Sequence, residues 1–331
     1  MIDNQGFLSK VNKIIRSKWF QLISGFAILV FVFFYFRSIG GELDQIIHIT
    51  SPIYFVFALP FIFIALIAHV LAWRLIVKHF GPKLNFWNAI YIYTFSNLTR
   101  YIPGNYWHIF FKSTLGSNFG VDIKTGVKGA GIELVLNAIV GFIFVVFGIF
   151  LKFVALETDQ LKWLLLFFIV SIFILALFLV INKIADKKNN SDGSEKSKVF
   201  LVIEELAEIL KFKRKEIFQI ILLFSIAWLS QGFTLWFSLS AWDVVNVTHY
   251  GVIMFSYVTA WFMGFINPIA QNGLGVREAV SIVALSNLFP VATILGANLA
   301  MRLFGLLAEL VLLLLSFLLR SDKSRSIGKR N

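Results

Sequence analysis

The stretch Asn267-Pro-Ile-Ala-Gln-Asn-Gly-Leu-Gly-Val-Arg-Glu278 lies between two apolar segments and decides the fold. A plain helix cannot run through it, because Pro268 lacks a backbone N–H donor and the glycines loosen the chain. Arg277 and Glu278 bring charge to a depth where lipid tolerates little. A polar, broken helix at that depth persists only where protein or trapped water satisfies its backbone. We therefore expect a substrate site in this stretch.

The composition is that of a polytopic helical membrane protein. Of the 331 residues, 58% are hydrophobic and only 15% are charged, against about 25% charged residues in a typical soluble domain. The chain contains no cysteine, which excludes disulfides and thiolate metal sites. Its net charge is +12, but the basic residues collect beside apolar segments. The positive-inside rule and contact with anionic lipid explain that charge without a nucleic-acid partner.

Six apolar segments are long enough to cross a bilayer. The first ends without a small-residue cleavage site, so we expect it to remain as an anchor. Four shorter apolar segments flank two polar interruptions, and the 13 residues of 86–98 would cover only about 20 Å as a helix. The six long segments are 19–36, 53–77, 131–151, 163–181, 217–239 and 292–319, and the short ones are 86–98, 106–119, 250–266 and 278–288.

The second polar interruption is Arg100-Tyr-Ile-Pro-Gly-Asn105, and it makes the two halves of the chain alike. From the start of the preceding span to the interruption there are 47 residues in the first half (53 to 100) and 50 in the second (217 to 267). Paired segments interrupted by proline or glycine in corresponding positions are a sequence indication of a transporter binding site.

The distribution of basic residues favours re-entrant hairpins over single crossings at both interruptions. If each broken unit enters and leaves on one side, 24 of the 30 lysines and arginines lie on the cytoplasmic side. If the first unit crosses once, the nine basic residues of 182–216 fall outside, against the positive-inside rule. The sequence therefore predicts an all-α polytopic membrane protein with six full transmembrane spans and two re-entrant broken-helix hairpins, arranged as an inverted repeat.

This arrangement places both termini in the cytoplasm and the protein in the plasma (inner) membrane. The polar segment 182–216 has the composition of a linker, with an amphipathic helix over 199–210. The predicted organisation is a cytoplasmic flank (1–18), a first transmembrane repeat (19–151), a connecting loop with the first span of the second repeat (152–181), a basic cytoplasmic linker (182–216), the rest of the second repeat (217–319) and a basic cytoplasmic tail (320–331).

Both interruptions have chemistry that favours anions. In the second, a helix begins near Gly275, with Gly273 before it and Asn272 as a plausible N-cap. The free N–H groups and positive dipole end of that helix point into the protein. Arg277 adds a full charge on a planar group that suits phosphate or carboxylate.

The first interruption repeats this arrangement. A helix begins near Asn105, after Pro103 and Gly104, with Arg100 beside it. Trp107 follows, where it could stack on a sugar or seat at the membrane interface. Two anion-favouring tips that enter from opposite faces suit the passage of a phosphate headgroup.

The charged residues also have a structural interpretation. Arg277 could pair with Glu278, Glu309 or Glu133 and simply fix the hairpin. Glu133 and Arg302 either line the cavity or pair with each other or with Arg100, and Glu309 is the expected partner of Arg302. The candidate substrate-binding residues are Arg100, Pro103, Gly104, Asn105, Trp107, Glu133, Asn267, Asn272, Gly273, Gly275, Arg277, Glu278 and Arg302.

Two segments resemble the transmembrane region of the lysylphosphatidylglycerol synthase/flippase family. One is Arg100-Tyr-Ile-Pro-Gly-Asn-Tyr-Trp107 with Glu133 downstream, and the other is Asn267-Pro-Ile-Ala-Gln-Asn-Gly-Leu-Gly-Val-Arg-Glu-Ala279 with Arg302 downstream. The resemblance implies a lipid flippase or a membrane protein of cell-envelope pathways. It does not extend to the soluble aminoacyltransferase domain of full synthases, so lysyl transfer from tRNA is not expected.

The sequence thus predicts a non-enzymatic lipid translocase without cofactors, since it has neither a glycine-rich nucleotide loop nor metal-ligand spacing. Its partner would be an anionic phospholipid or a polyprenyl-phosphate-linked glycolipid, moved between leaflets for cell-envelope synthesis. Two alternatives stay open. One is an embedded glycosyl or lipid transferase acting on a lipid-linked sugar. The other is a scaffold that recruits envelope-synthesis enzymes through 182–216.

Overall fold

The computed structural model describes residues 48–101, 107–150, 212–266, 273 and 275–319, and the regular elements in those ranges are all helical. Two short 3-10 turns lie at Thr99–Tyr101 and Val247–His249. The helices are α1 (Ile53–His79), α2 (Phe86–Leu98), α3 (Trp107–Ser117), α4 (Ile123–Phe150), α5 (Arg214–Ser240), α6 (Tyr250–Ile266), α7 (Val276–Leu285) and α8 (Val291–Leu319).

Four of these helices, α1, α4, α5 and α8, are long and apolar enough to cross a membrane. They correspond to the predicted spans at 53–77, 131–151, 217–239 and 292–319. The other two predicted spans, 19–36 and 163–181, and the predicted surface helix at 199–210 lie outside the described residues.

Helices α1 and α5 pack side by side and antiparallel along their whole length. At one end, the backbone N–H of Thr50 donates to the carbonyl of Ala241 at 3.0 Å. At the other end, His79 Nδ1 lies 3.2 Å from Glu216 Oε2. Small residues bring the two backbones together between these ends, since Ala65, Ala68 and Ala227 are buried in one cluster. In the described part of the chain, this antiparallel pair contacts α2, α4, α6 and α8.

The closing helix of each half packs on the other half. Helix α4 contacts α6, and α8 contacts α2. Within α4, Gly141 provides the space for this packing, because a Cβ there would lie 2.8 Å from the Phe262 ring and 2.9 Å from the Trp228 ring. The two halves are therefore interlocked around α1 and α5.

The short helices form two pairs, the first helix pair (α2 and α3) and the second helix pair (α6 and α7), whose members contact each other. Helices α2, α3 and α7 have 13, 11 and 10 residues, too few to cross a bilayer core of about 30 Å. In the second pair the backbones nearly touch, because a Cβ on Gly264 would lie 3.0 Å from the Cα of Gly273.

The predicted start of α4 at Gly131 is wrong by two turns, since the helix begins at Ile123. Its first turns contain Lys124, Lys128 and two glycines, so the apolar pattern does not extend to them. Asp122 starts the helix, and its Oδ2 accepts the backbone N–H of Thr125 at 3.0 Å. Hydrogen bonds from the side chain and then from the backbone N–H of Thr125 hold the pKa of the Asp122 carboxyl below its usual range.

We expect Gly141→Ala to destabilise the protein by about 1–3 kcal/mol, because the added methyl group overpacks the junction between α4, α5 and α6. The matched control is Gly305→Ala in α8, where no atom lies within 4 Å of the added Cβ. This control should be neutral or slightly stabilising, because alanine favours a helix over glycine by about 1 kcal/mol. Unfolding in detergent micelles measures both, and equal effects would contradict the packing.

Candidate functional site

Arg100 is the first residue of the polar interruption Arg100–Asn105, which we call the first tip. It forms an ion pair with Glu309 on α8, the closing helix of the other half. Asn97 donates from Nδ2 to the same carboxylate oxygen, Glu309 Oε1, at 3.2 Å. The expectation that Glu309 pairs with Arg302 is wrong. The interlocking of the halves explains the difference, because α8 packs on α2 and so brings Glu309 to the first tip.

Arg302 pairs instead with Glu278 of α7, with Nη2 2.7 Å from Oε1. The other carboxylate oxygen, Glu278 Oε2, accepts the backbone N–H of Gly275 at 2.8 Å. Gly275 is the N-cap of α7 and has a φ of 80°, a left-handed conformation that favours glycine. The predicted N-cap at Asn272 is therefore wrong, because the helix starts three residues later and Glu278 folds back over its first turn.

Arg277 lies beside this pair and differs from the other two arginines. Among the described residues, no carboxylate is within salt-bridge distance of it, so the suggested pairings with Glu278, Glu309 and Glu133 are not formed. Its Nε is buried and has no hydrogen-bond partner. Its stem packs into the close approach of the second helix pair, with Nε 2.9 Å from a Cβ built on Gly273.

Arg277 interacts electrostatically with Arg302, Tyr257, Arg100 and Glu278, so the cluster joins α7 and α8 to the turn that follows α2. We refer to Arg100, Arg277, Arg302, Glu278 and Glu309 as the central cluster. It contains three arginines and two glutamates, and both glutamates are buried. One positive charge therefore has no protein counter-ion among the described residues. The cluster is suited to bind an anion.

A second buried group of charges lies in the first half. Lys112 of α3 places its Nζ 2.8 Å from Glu133 Oε2, and Tyr93 of α2 donates from Oη to Glu133 Oε1 at 2.6 Å. The ammonium lies 3.9 Å from the centroid of the Tyr93 ring and 5.7 Å from that of Trp73. These distances allow cation–π attraction. Glu133 therefore pairs neither with Arg302 nor with Arg100.

Lys112 is the residue that sequence reasoning missed. The predicted topology places Lys112 among the 24 cytoplasmic lysines and arginines, yet its side chain is buried in the protein. A signal was present, because Lys112 follows the apolar Ile-Phe-Phe run of the short helix α3. Tyr93 and Asn97 gave no such signal, since a tyrosine or an asparagine in a helix does not reveal which way it points.

The remaining predicted residues are only partly placed. Trp107 begins α3 and its ring lies 6.3 Å from the ring of Phe110, an edge contact that does not decide between sugar stacking and an interfacial role. No group of His, Cys, Asp and Glu side chains in the described ranges has the arrangement of a metal site. Outside the described residues lie Pro103, Gly104, Asn105, Asn267 and Asn272.

Comparison with known families gives one match that spans most of the chain. The family described as the lysylphosphatidylglycerol synthase TM region matches residues 21–314. This match includes both helix pairs, all of α4, α8 up to residue 314, and every residue of the central cluster. A search of curated proteins found no significant match.

The Glu278–Arg302 pair can be tested by a double-mutant cycle. We expect Arg302→Met to lower the free energy of unfolding by about 2–4 kcal/mol, because it leaves the Glu278 carboxylate buried without its cation. Glu278→Gln in the same chain should recover most of that loss, since glutamine keeps an oxygen for the Gly275 N–H. Unfolding in mixed micelles gives the coupling energy, and strictly additive effects would contradict the pair.

Proposed function

Because the chain belongs to the lysylphosphatidylglycerol synthase transmembrane-region family, we propose that it is a lipid translocase. It moves an anionic phospholipid or a polyprenyl-phosphate-linked glycolipid between the leaflets of the plasma membrane for cell-envelope synthesis. Both lipids present a phosphate group, and the central cluster is proposed to bind that group. No covalent change to the lipid is part of this function, and no cofactor is needed for it.

The observation that supports this function best is the charge of the half-buried Arg277, whose Nε atom is buried. An isolated ion is expensive to remove from water, and breaking a buried pair by removing one partner costs several kcal/mol. Arg277 approaches that position: it is half-buried, two arginines repel it, Glu278 attracts it only from beyond salt-bridge distance, and no carboxylate among the described residues forms an ion pair with it. A phosphate headgroup would supply the missing negative charge. Its oxygens also match the planar donor group of arginine.

The packing of the two halves is consistent with the architecture of a transporter. We interpret the first and second helix pairs as re-entrant hairpins that enter from opposite faces, in an inverted repeat. Three features of the packing support the interpretation. Helix α1 runs antiparallel to α5, α4 packs on the second helix pair, and α8 packs on the first helix pair. In such repeats, substrate sites lie near mid-membrane where broken helices meet.

A lipid also needs a place for its acyl chains while the headgroup crosses. Helix α8 presents an apolar face, on which Leu310, Leu314 and Leu318 are exposed by 39%, 64% and 80%. These residues are four apart and lie on one side of the helix. The same helix contributes Arg302 and Glu309 to the central cluster. A headgroup at the cluster would therefore lie one helix diameter from lipid-exposed surface, with its chains left in the bilayer.

The topology can be tested with single cysteines in this cysteine-free chain. Val244, between α5 and α6, is 95% exposed, and Lys83, between α1 and α2, is exposed at the opposite end of α1. We expect Val244→Cys to react in intact cells with a membrane-impermeant thiol reagent, and Lys83→Cys to react only after lysis. Labelling of 182–216 from outside would contradict the proposed topology.

The function can be tested in liposomes with a fluorescent anionic phospholipid and a quencher that reaches only the outer leaflet. We expect Arg277→Gln to reduce the rate of translocation at least about tenfold, because the headgroup loses a charge-assisted contact. Arg277→Lys should be intermediate, since lysine keeps the charge and loses the planar group. A zwitterionic lipid should move slowly with every variant.

The matched control is Arg74→Gln. Arg74 is a half-buried arginine of α1 whose Nε donates to the carbonyl of Leu84 at 2.8 Å, away from the central cluster. The Arg74→Gln protein should translocate the anionic lipid at the rate of the unmodified protein. Normal transport by a folded Arg277→Gln protein would reject the role of Arg277. A new lipid product formed in detergent, where no leaflets exist, would favour a transferase.

A further inference from the structure

Two buried ion pairs occupy matching places in the two halves. In each half the pair joins the second helix of the helix pair to the closing helix: Lys112 of α3 to Glu133 of α4, and Glu278 of α7 to Arg302 of α8. The polarity is reversed, with the cation on the short helix in the first half and on the closing helix in the second. Both pairs fix a short helix to a long one.

The cations differ in a way that matters for protons. Either carboxylate could take up a proton, but the cation that would then lack its counter-ion differs between the halves. The guanidinium of Arg302 is delocalised, weakly hydrated and 21% exposed, whereas the ammonium of Lys112 is a compact, strongly hydrated charge on a side chain that is 3% exposed. Loss of the counter-ion therefore leaves a buried, poorly tolerated cation in the first half and a cation that water can reach in the second half.

We propose that Lys112, Glu133 and Tyr93 form a proton-binding site that latches α3 to α4. A proton from water adds to Glu133 Oε2, so that the carboxylate becomes a neutral carboxylic acid. Lys112 keeps its ammonium and loses its counter-ion, and a buried cation without a partner favours separation of α3 from α4 and access of water. The site would make the position of the first helix pair depend on pH. Only the use of this pH dependence in transport rests on the proposed function.

The groups that face this site decide which controls are needed. Helix α1 contributes His69, which interacts electrostatically with Lys112. Arg100 also acts on Lys112, and Glu309 acts on Tyr93. Helices α5 and α6 face α4 with the rings of Trp228, Phe262 and Phe255. His69 of α1 and His108, one turn before Lys112 in α3, are the alternative origins of any pH dependence near neutrality, because the ordinary pKa of histidine is closest to that range. Each therefore needs an asparagine variant as a control.

Ser113 offers a way to observe the latch. It follows Lys112 in α3, is 1% exposed, and packs on α4, where a Cβ on Gly126 would lie 2.7 Å from the Ser113 Cα. A thiol at Ser113 can react only when α3 and α4 separate. Ser117, one turn further along α3, is exposed and provides a matched reference for the intrinsic reactivity of a thiol at each pH.

The experiment compares the labelling rates of Ser113→Cys and Ser117→Cys in the purified full chain across a pH series. We expect the ratio of the two rates to rise about tenfold or more toward acid pH as the ion pair is lost. Glu133→Gln should give a high ratio at every pH. The double variant Lys112→Met/Glu133→Leu should give a low ratio at every pH, because two apolar side chains replace the pair. The asparagine variants of the two histidines should keep the pH dependence.

A ratio that does not change with pH would overturn the proposal, and so would a pH dependence that persists in the double variant or is lost in either asparagine variant. Infrared difference spectra between neutral and acid pH provide a second reading, since one component of the protonated-carboxyl band should be present in the unmodified protein and missing in Glu133→Gln. Neither measurement needs a transported lipid. Their failure would therefore reject the latch and leave the translocase proposal standing, while a failed transport assay would do the reverse.

Discussion

A charge buried in a protein that faces lipid must be neutralised inside the protein, and this constraint determines how the two halves meet. Glu309 on the last helix neutralises Arg100 of the first half, and Glu133 neutralises Lys112. The cost of leaving either carboxylate alone would be several kcal/mol. The interlocked packing, in which each closing helix lies on the other half's helix pair, brings the first of these partners together.

The same constraint distinguishes Arg277 from the other two arginines of the central cluster, because Arg277 has no ion-pair partner among the described residues. Arg277 lies among packed backbone atoms, since Gly264 and Gly273 leave room for its stem and for little else. A protein that only needed to hold the second helix pair together could have used an apolar side chain there. In the function proposed above, the counter-ion of Arg277 is the anionic headgroup of a membrane lipid.

The long helices were predictable from apolar length alone, and four of the six predicted spans are present as helices in the described part of the chain. A tertiary contact between Glu278 and another charged residue was also predictable, since charge at membrane depth is rare and is usually paired. The pairings were not, because Arg302 and Glu309 share a helix and their partners are set by tertiary packing. Lys112 was misplaced for a related reason: a lysine near a span's end is usually cytoplasmic, and only the fold shows that it points inward.

Helix α8 contains both Arg302 and Glu309, seven residues apart, and each is bound to a different helix pair. Seven residues are close to two helical turns, so both side chains point from nearly the same side. One residue inserted between them would turn one side chain away by about 100° and break one of the two pairs. The register of α8 is therefore fixed from two directions, and length changes between these positions should be far less acceptable than substitutions on its lipid-facing side.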